Sequence, residues 1–272
     1  VSSCGTDTAV SVPCMFSDLG RRNFSPATAQ TQENLLDVVQ RAGVSVLWRD
    51  NQSGCKGVCA RVPTEVLAKD KSLLHCAGGE CFDEILIDNI KERIEKNRGG
   101  QLIVLHMMGS HGPAYYKRTP KTFQVFQPAC QASNFSKCTN DEIVNSYDNT
   151  INYADFVIAK LINALSELAS ATSDVAMMYV SDHGESLGEN NMYLHGLPYA
   201  LAPKSQTHVP LIMWFSPSFQ EAHDLSLECL SRASSTSYSH DNLFHTALGM
   251  LDIRSSAYVR NLDLTADCRS AR

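Results

Sequence analysis

Val175-Ala176-Met177-Met178-Tyr179-Val180-Ser181-Asp182-His183-Gly184-Glu185-Ser186-Leu187-Gly188-Glu189 is the stretch on which the reading of this chain turns. The apolar run from Val175 to Val180 predicts a buried strand. It ends abruptly in an acid, a histidine and a glycine. In open α/β sheets ligands sit at the carboxyl ends of strands. Asp182 and His183 offer one oxygen and one nitrogen donor, a set that suits zinc. The same pair also fits a strand-end turn with a solvated aspartate and a hydrogen-bonded histidine. The neighbouring segments have to decide.

Outward from this strand the chain alternates helix and strand. Apolar residues at Leu35, Leu36, Val38 and Val39 predict a helix over Gln32–Ala42, stopped by Gly43. Val44–Trp48 reads as a short strand. Phe82, Leu86, Ile90 and Ile94 recur every fourth residue and predict a helix that ends near Gly99-Gly100. Gln101–Met108 is a buried strand. Asp141–Leu168 is a long helix with Ile151, Phe156, Ile158, Leu161, Ile162 and Leu165 on its core side. Val209–Phe215 is a further strand and Asp241–Leu251 a late helix. Such alternation predicts an α/β fold, a mostly parallel sheet with helices on both faces. No repeat, low-complexity tract or linker divides the chain. Asp50–Cys81 and Pro128–Asn140 read as surface loops pinned by cysteines.

The chain opens on Ser3-Cys4-Gly5-Thr6-Asp7-Thr8-Ala9-Val10-Ser11-Val12-Pro13-Cys14-Met15-Phe16. Ser, Thr and Asp before a more apolar segment mark a helix start. A hydroxyl there lies among free backbone N–H groups at the positive end of the helix dipole, where phosphate binds well. A threonine hydroxyl becomes a nucleophile only when a metal or base lowers its pKa. The spacing also fits a plain helix cap stapled by Cys4 and Cys14, and does not choose between Thr6 and Thr8.

Together, Cys-Gly-Thr-x-Thr-Ala with Ser-Val-Pro-Cys (4–14), Ser-His-Gly-Pro-x-Tyr-Tyr (110–116), Ser-Asp-His-Gly-Glu-Ser-Leu-Gly-Glu-Asn (181–190) and Tyr-Leu-His-Gly (193–196) resemble the lipid A phosphoethanolamine transferases. That family includes intrinsic bacterial enzymes and transferable colistin-resistance enzymes. The resemblance runs in order along essentially the whole chain. It implies a fold similar to alkaline phosphatases and sulfatases. It also implies that Thr8 is the nucleophile and carries the phosphoethanolamine group. Asp182 and His183 are implied as zinc ligands, with Thr8 at the same metal. His111 and His195 match positions near the phosphate, where they would hold a second zinc, bond the phosphoryl oxygens or move a proton. Lys56 matches a lysine near the substrate, and Gln52 and Ser53 match positions at the ethanolamine head group.

The resemblance also implies transmembrane helices and a glutamate zinc ligand on a strand before Val1. The expectation is therefore that 1–272 is a periplasmic catalytic domain without those parts, with a metal site one carboxylate short and weak zinc binding. Glu185 and Glu189 read as supporting or surface residues rather than substitutes. His106 reads as a satisfied core histidine, and His75, His208, His223, His240 and His245 as structural. Tyr115 and Tyr116 fit either a lipid-facing or a core role.

Composition sets the outer bounds. A length of 272 residues can bury one large core. A net charge of −6 argues against a general nucleic-acid binder. No apolar run reaches the ~18–20 residues that span a bilayer. Ten cysteines fall into local pairs 4/14, 55/59, 76/81 and 130/138, with 229 and 268 left over, which points to an oxidising compartment. No pair has the C-x₂-C spacing common in zinc sites. The expected activity is zinc-dependent transfer of phosphoethanolamine from phosphatidylethanolamine to lipid A at the membrane surface. The implied location is the periplasm, the full-length protein being anchored in the inner membrane. A monomer is the working expectation. A phosphodiesterase or another phosphoglycol transferase with a different acceptor is the near alternative. A periplasmic binding module without chemistry is the distant one.

Overall fold

The computed structural model describes residues 1–67, 75–77, 80–97, 99–169 and 174–270; part of the Asp50–Cys81 loop thus lies outside the described residues. The strands that frame the site are β1 (Ser45–Asp50), β2 (Thr64–Val66), β3 (Gln101–His106), β4 (Ala176–Val180) and β5 (Leu211–Phe215). The framing helices are α1 (Thr8–Met15), α2 (Leu35–Arg41), α3 (Ile90–Lys96), α4 (Asn140–Ala169) and α5 (Leu243–Met250). No described helix is long and apolar enough to cross a membrane.

Strand β1 is the middle of a parallel sheet ordered β2–β1–β3. Its register sets Ser45 opposite Gln101 and Asp50 opposite His106, so the carboxyl ends of β1 and β3 lie side by side. His106 Nδ1 donates to Asp50 Oδ2 at 3.1 Å, the partner that a core histidine needs. Side chains alternate across a strand. Val46 and Trp48 face a core shared with Val12 of α1, Leu36 and Val39 of α2, and Phe244 and Leu248 of α5. Leu36 and Leu248 are fully buried, and each such side chain contributes about 2 kcal/mol. Arg49 faces the opposite side, where its guanidinium donates to the carbonyls of Leu86 at 2.6 Å and Asp88 at 2.9 Å. Ile94 of α3 joins a second core with Leu165 and Leu168 of α4 and Met177 of β4. Helices therefore cover both faces, as the alternation predicts.

Strand β5 runs antiparallel to β4, with Val180 opposite Leu211. The connection between them carries the 181–196 loop instead of a long crossover helix, so the chain comes back along the neighbouring edge.

Three local expectations need correction. Helix α2 starts at Leu35 rather than Gln32, because Asn34 caps it: Asn34 Oδ1 accepts the Leu36 N–H, and the Asp37 carboxylate accepts the Asn34 N–H at 2.8 Å. The helix expected from Phe82 to Gly99 is broken into a 3₁₀ turn, Asp83–Ile87, and α3. Asn89 between them has φ of 55°, and Arg49 takes the carbonyls that a continuous helix would use internally. Helix α4 has the expected length, but Ile151 (46% exposed) and Phe156 (36%) do not lie in its core stripe. Ser146, Asn149 and Tyr153 do. Ser146 Oγ donates to Cys130 O, and Asn149 bonds both backbone groups of Phe126, so polar residues face inward to satisfy a packed loop.

Five disulfides close: Cys4–Cys14, Cys55–Cys59, Cys76–Cys81, Cys130–Cys138 and Cys229–Cys268. These are the pairs that the spacing favours.

Candidate active site

Thr8 is the first residue of α1. Asp7 caps that helix by accepting the Val10 N–H at 3.1 Å. Thr8 is nearly buried, and its Oγ1 lies 3.3 Å from His183 Nε2. Thr6 is different: its hydroxyl donates to Leu197 O at 2.6 Å. The proton of Thr6 is thus committed to the fold, while that of Thr8 faces an imidazole.

His183 follows β4 directly. Its Nδ1 lies 3.0 Å from Gly184 O, and a carbonyl only accepts, so Nδ1 carries the proton. In the neutral ring the Nε2 lone pair is then the one on the side of Thr8. Asp182 Oδ1 accepts the His183 N–H at 3.0 Å, and its other oxygen lies 3.7 Å from His183 Nε2. An imidazole nitrogen, a carboxylate oxygen and a hydroxyl converge. That donor set fits zinc.

His111 and His195 join the cluster. The ring centroids of His183 and His195 are 4.2 Å apart, and those of His111 and His195 are 5.3 Å apart. Glu185 organises the second histidine. It is buried, and it accepts from His195 Nδ1 at 2.8 Å, Tyr115 Oη at 3.2 Å and Gly112 N at 3.4 Å. That hydrogen bond raises the His195 pKa above the usual value, whereas burial lowers that of His111. His183, Glu185 and His195 also have donor atoms within 4.8 Å of one another. Three protein donors already occupy the Glu185 carboxylate, so its geometry is that of a residue orienting His195. Tyr115 is buried behind it. Glu189 is exposed and accepts from Leu187 N.

Gln52, Ser53 and Lys56 follow β1 and bond to one another. Lys56 Nζ donates to Ser53 Oγ at 2.8 Å, and Gln52 Oε1 accepts from Ser53 N at 2.5 Å. No hydrogen bond joins them to the histidine cluster among the described residues. The link is indirect. Asp83, buried, accepts from Asn51 Nδ2, Met108 N and Gly109 N, each at 2.8 Å. Asp83 thereby ties the root of the Gln52–Lys56 loop to the root of the His111 loop. Nothing in the periodicity around Phe82 marks this role. The only sign was an acid at a position where a turn, rather than a helix, begins.

His240, expected to be merely structural, is 1% exposed and packs between the Cys4–Thr8 segment and the end of β4. Burial depresses its pKa to about 4. An unfolded histidine near 6.5 binds its proton well above that pH. Between pH 6.5 and 4 the unfolded state therefore holds the extra proton, and stability falls as pH falls. This single group accounts for roughly 3 kcal/mol across that window. His111 and His245, also lowered by burial, act in the same direction, and His195 opposes them. Urea unfolding at stepped pH should show this slope, and His240→Asn should flatten it.

Residues 1–253 match the family model described as Sulfatase. The chain is 46% identical over 269 residues to phosphoethanolamine transferase EptA of Escherichia coli (strain K12), covering 98% of this chain and 49% of that protein. It is 43% identical over 260 residues to phosphatidylethanolamine transferase Mcr-1 of Escherichia coli, covering 93% and 46%. The chain thus spans about half the length of these curated relatives. Among solved structures, the soluble domain of lipooligosaccharide phosphoethanolamine transferase A from Neisseria meningitidis is 45% identical with a TM-score of 0.95, over 99% of this chain and 81% of that one. With Thr8, Asp182 and His183 converging on this fold, the chain belongs to the sulfatase family, alongside the phosphoethanolamine transferases.

Proposed function

We propose that this chain carries the chemistry of a lipid A phosphoethanolamine transferase. The observation that carries the reading is the approach of Thr8 Oγ1 to His183 Nε2 while the Thr6 hydroxyl is bonded elsewhere. In the first step Thr8 Oγ1 attacks the phosphorus of phosphatidylethanolamine. The bond from phosphorus to the glycerol oxygen breaks, and diacylglycerol leaves with a proton. In the second step an oxygen of a lipid A phosphate attacks the phosphoethanolamine-threonine, and Thr8 is released. Zinc would be held by Asp182, His183 and Thr8, where it lowers the hydroxyl pKa and offsets phosphate charge.

The chain's own residues supply the rest. The helix start presents backbone N–H groups around Thr8. His111 and His195 serve the phosphoryl oxygens and the travelling proton, with Glu185 holding His195 in place. Lys56 offsets phosphate charge, and Gln52 and Ser53 receive the ethanolamine end. Neutralising a lipid A phosphate makes the outer surface less negative and weakens binding of cationic polymyxins. The five disulfides fit a periplasmic location.

With zinc in excess, so that a weakly binding site is filled, incubation with phosphatidylethanolamine should add the mass of one phosphoethanolamine group, mapped to Thr8. Addition of lipid A should discharge it onto the acceptor. Discharge to water alone would instead identify a phosphodiesterase, and no adduct at all would refute the reading. His111→Ala and His195→Ala should each lower turnover on the order of 10²-fold. Metal analysis should find the zinc content of both variants close to that of the parent.

A further inference from the structure

The nucleophile segment and the end of β4 are far apart in sequence, yet two side chains stitch their backbones together. Ser11 sits on α1, one turn after Thr8. Its hydroxyl donates to Asp182 O and accepts from Gly5 N at 3.3 Å. His240 comes from a third element, the turn before α5. Its Nδ1 accepts the Cys4 N–H at 3.0 Å, and its Nε2 donates to Ser181 O at 3.0 Å. One neutral tautomer satisfies both bonds, because the Ser181 carbonyl can only accept. His240 is itself anchored through its own N–H, which donates to Ser2 O at 2.9 Å. Ser11 is 0% exposed and His240 1%.

Each side chain therefore joins the segment bearing Thr8 to Ser181-Asp182, the backbone from which Asp182 and His183 project. Neither reaches the hydroxyl of Thr8 or the carboxylate of Asp182. A productive site must hold its groups within about 0.5 Å, and misplacement by about 1 Å can cost 10²-fold in rate. We infer that Ser11 and His240 are positioning residues, a backbone clamp that sets Thr8 against Asp182 and His183 before substrate or metal arrives. The kinetic part of this inference rests on the transfer reaction proposed above.

The test uses this chain with Ser11→Ala, His240→Ala, His240→Asn and His240→Gln. Asparagine offers an acceptor near the Nδ1 position, and glutamine a donor near Nε2. The measurements are thermal unfolding, zinc content, amide hydrogen exchange over residues 3–11, and the single-turnover rate of Thr8 labelling by phosphatidylethanolamine in detergent. In Ser11→Ala and His240→Ala, exchange over that segment should rise by about 10-fold or more while the chain stays folded and keeps its metal. The labelling rate should fall on the order of 10²-fold, with the half-saturating donor concentration within about twofold of the parent. His240→Asn and His240→Gln should each recover part of the rate.

A labelling rate within about twofold of the parent in folded Ser11→Ala and His240→Ala would overturn the inference. So would a loss of rate that only follows the loss of folded protein. If the parent itself is never labelled, the transfer reading fails, and the exchange data alone decide: faster exchange in the variants supports the clamp, and unchanged exchange overturns it.

Discussion

Replacing Thr8 by alanine is expected to abolish the covalent adduct and to lower transfer by about 10⁴-fold or more, the scale of losing a covalent nucleophile. The fold should survive. Thr8 is at the first position of α1, and the cap that starts the helix belongs to Asp7. The lost contact is the single hydroxyl–imidazole approach to His183, so the cost in stability should stay near 1 kcal/mol. Thr6→Ala gives the contrasting result. It removes the bond to Leu197 O and leaves the reacting hydroxyl in place, so the adduct should persist. Intact mass and peptide mapping of both variants after exposure to phosphatidylethanolamine measure this directly. An adduct that survives in Thr8→Ala, or that maps to Thr6, would remove the assignment.

Full reduction should have the largest effect on stability. Cys55–Cys59, Cys76–Cys81, Cys130–Cys138 and Cys4–Cys14 link residues 4, 5, 8 and 10 apart, and Cys229–Cys268 links residues 39 apart. In the loop-entropy model such links contribute from about 2 kcal/mol each for the shortest to about 4 kcal/mol for the longest. Their sum is comparable with the whole stability of an ordinary domain, ~5–15 kcal/mol. Reduced and alkylated chain should therefore be largely unfolded at 37 °C, whereas the oxidised chain is folded. Circular dichroism with thiol titration checks both ends. Retention of a cooperative transition close to that of the oxidised protein would contradict the expectation.

Much of this was legible in the residues. The apolar run of β4 and its Asp-His-Gly end marked the candidate site only together with the Thr8, His111 and His195 segments, because an Asp-His pair at a strand end also fits an ordinary turn. The cysteine spacing favoured four local pairs and left 229 and 268 over, but the connectivity itself comes from the structure. Other features escaped for physical reasons. The fourfold spacing of Phe82, Leu86, Ile90 and Ile94 is real, but the buried Arg49 on a distant strand claims the Leu86 and Asp88 carbonyls, and the helix breaks there. The inward face of α4 is partly polar because it satisfies the loop at Phe126–Cys130, which no hydropathy pattern announces. His240 carried no motif, and its importance arises from three segments meeting around it. Glu185 was recognised as supporting, but only the fold shows that it supports His195.

The tie at Asp83 separates two parts of the site. The Gln52–Cys59 loop lies beyond Asn51 and is closed by Cys55–Cys59, and it is held from its other end by Val58, which is buried in the core and accepts from Asn34 Nδ2 at 2.9 Å. The His111 loop hangs from the other side of the same carboxylate. The loop is thus pinned at both ends, and what remains free to vary between the pins is the polar set Gln52, Ser53 and Lys56. On the proposed reading, a new donor preference would be written at Gln52, Ser53 and Lys56, whereas Asn51 and Val58 on either side are fixed by Asp83 and by the core.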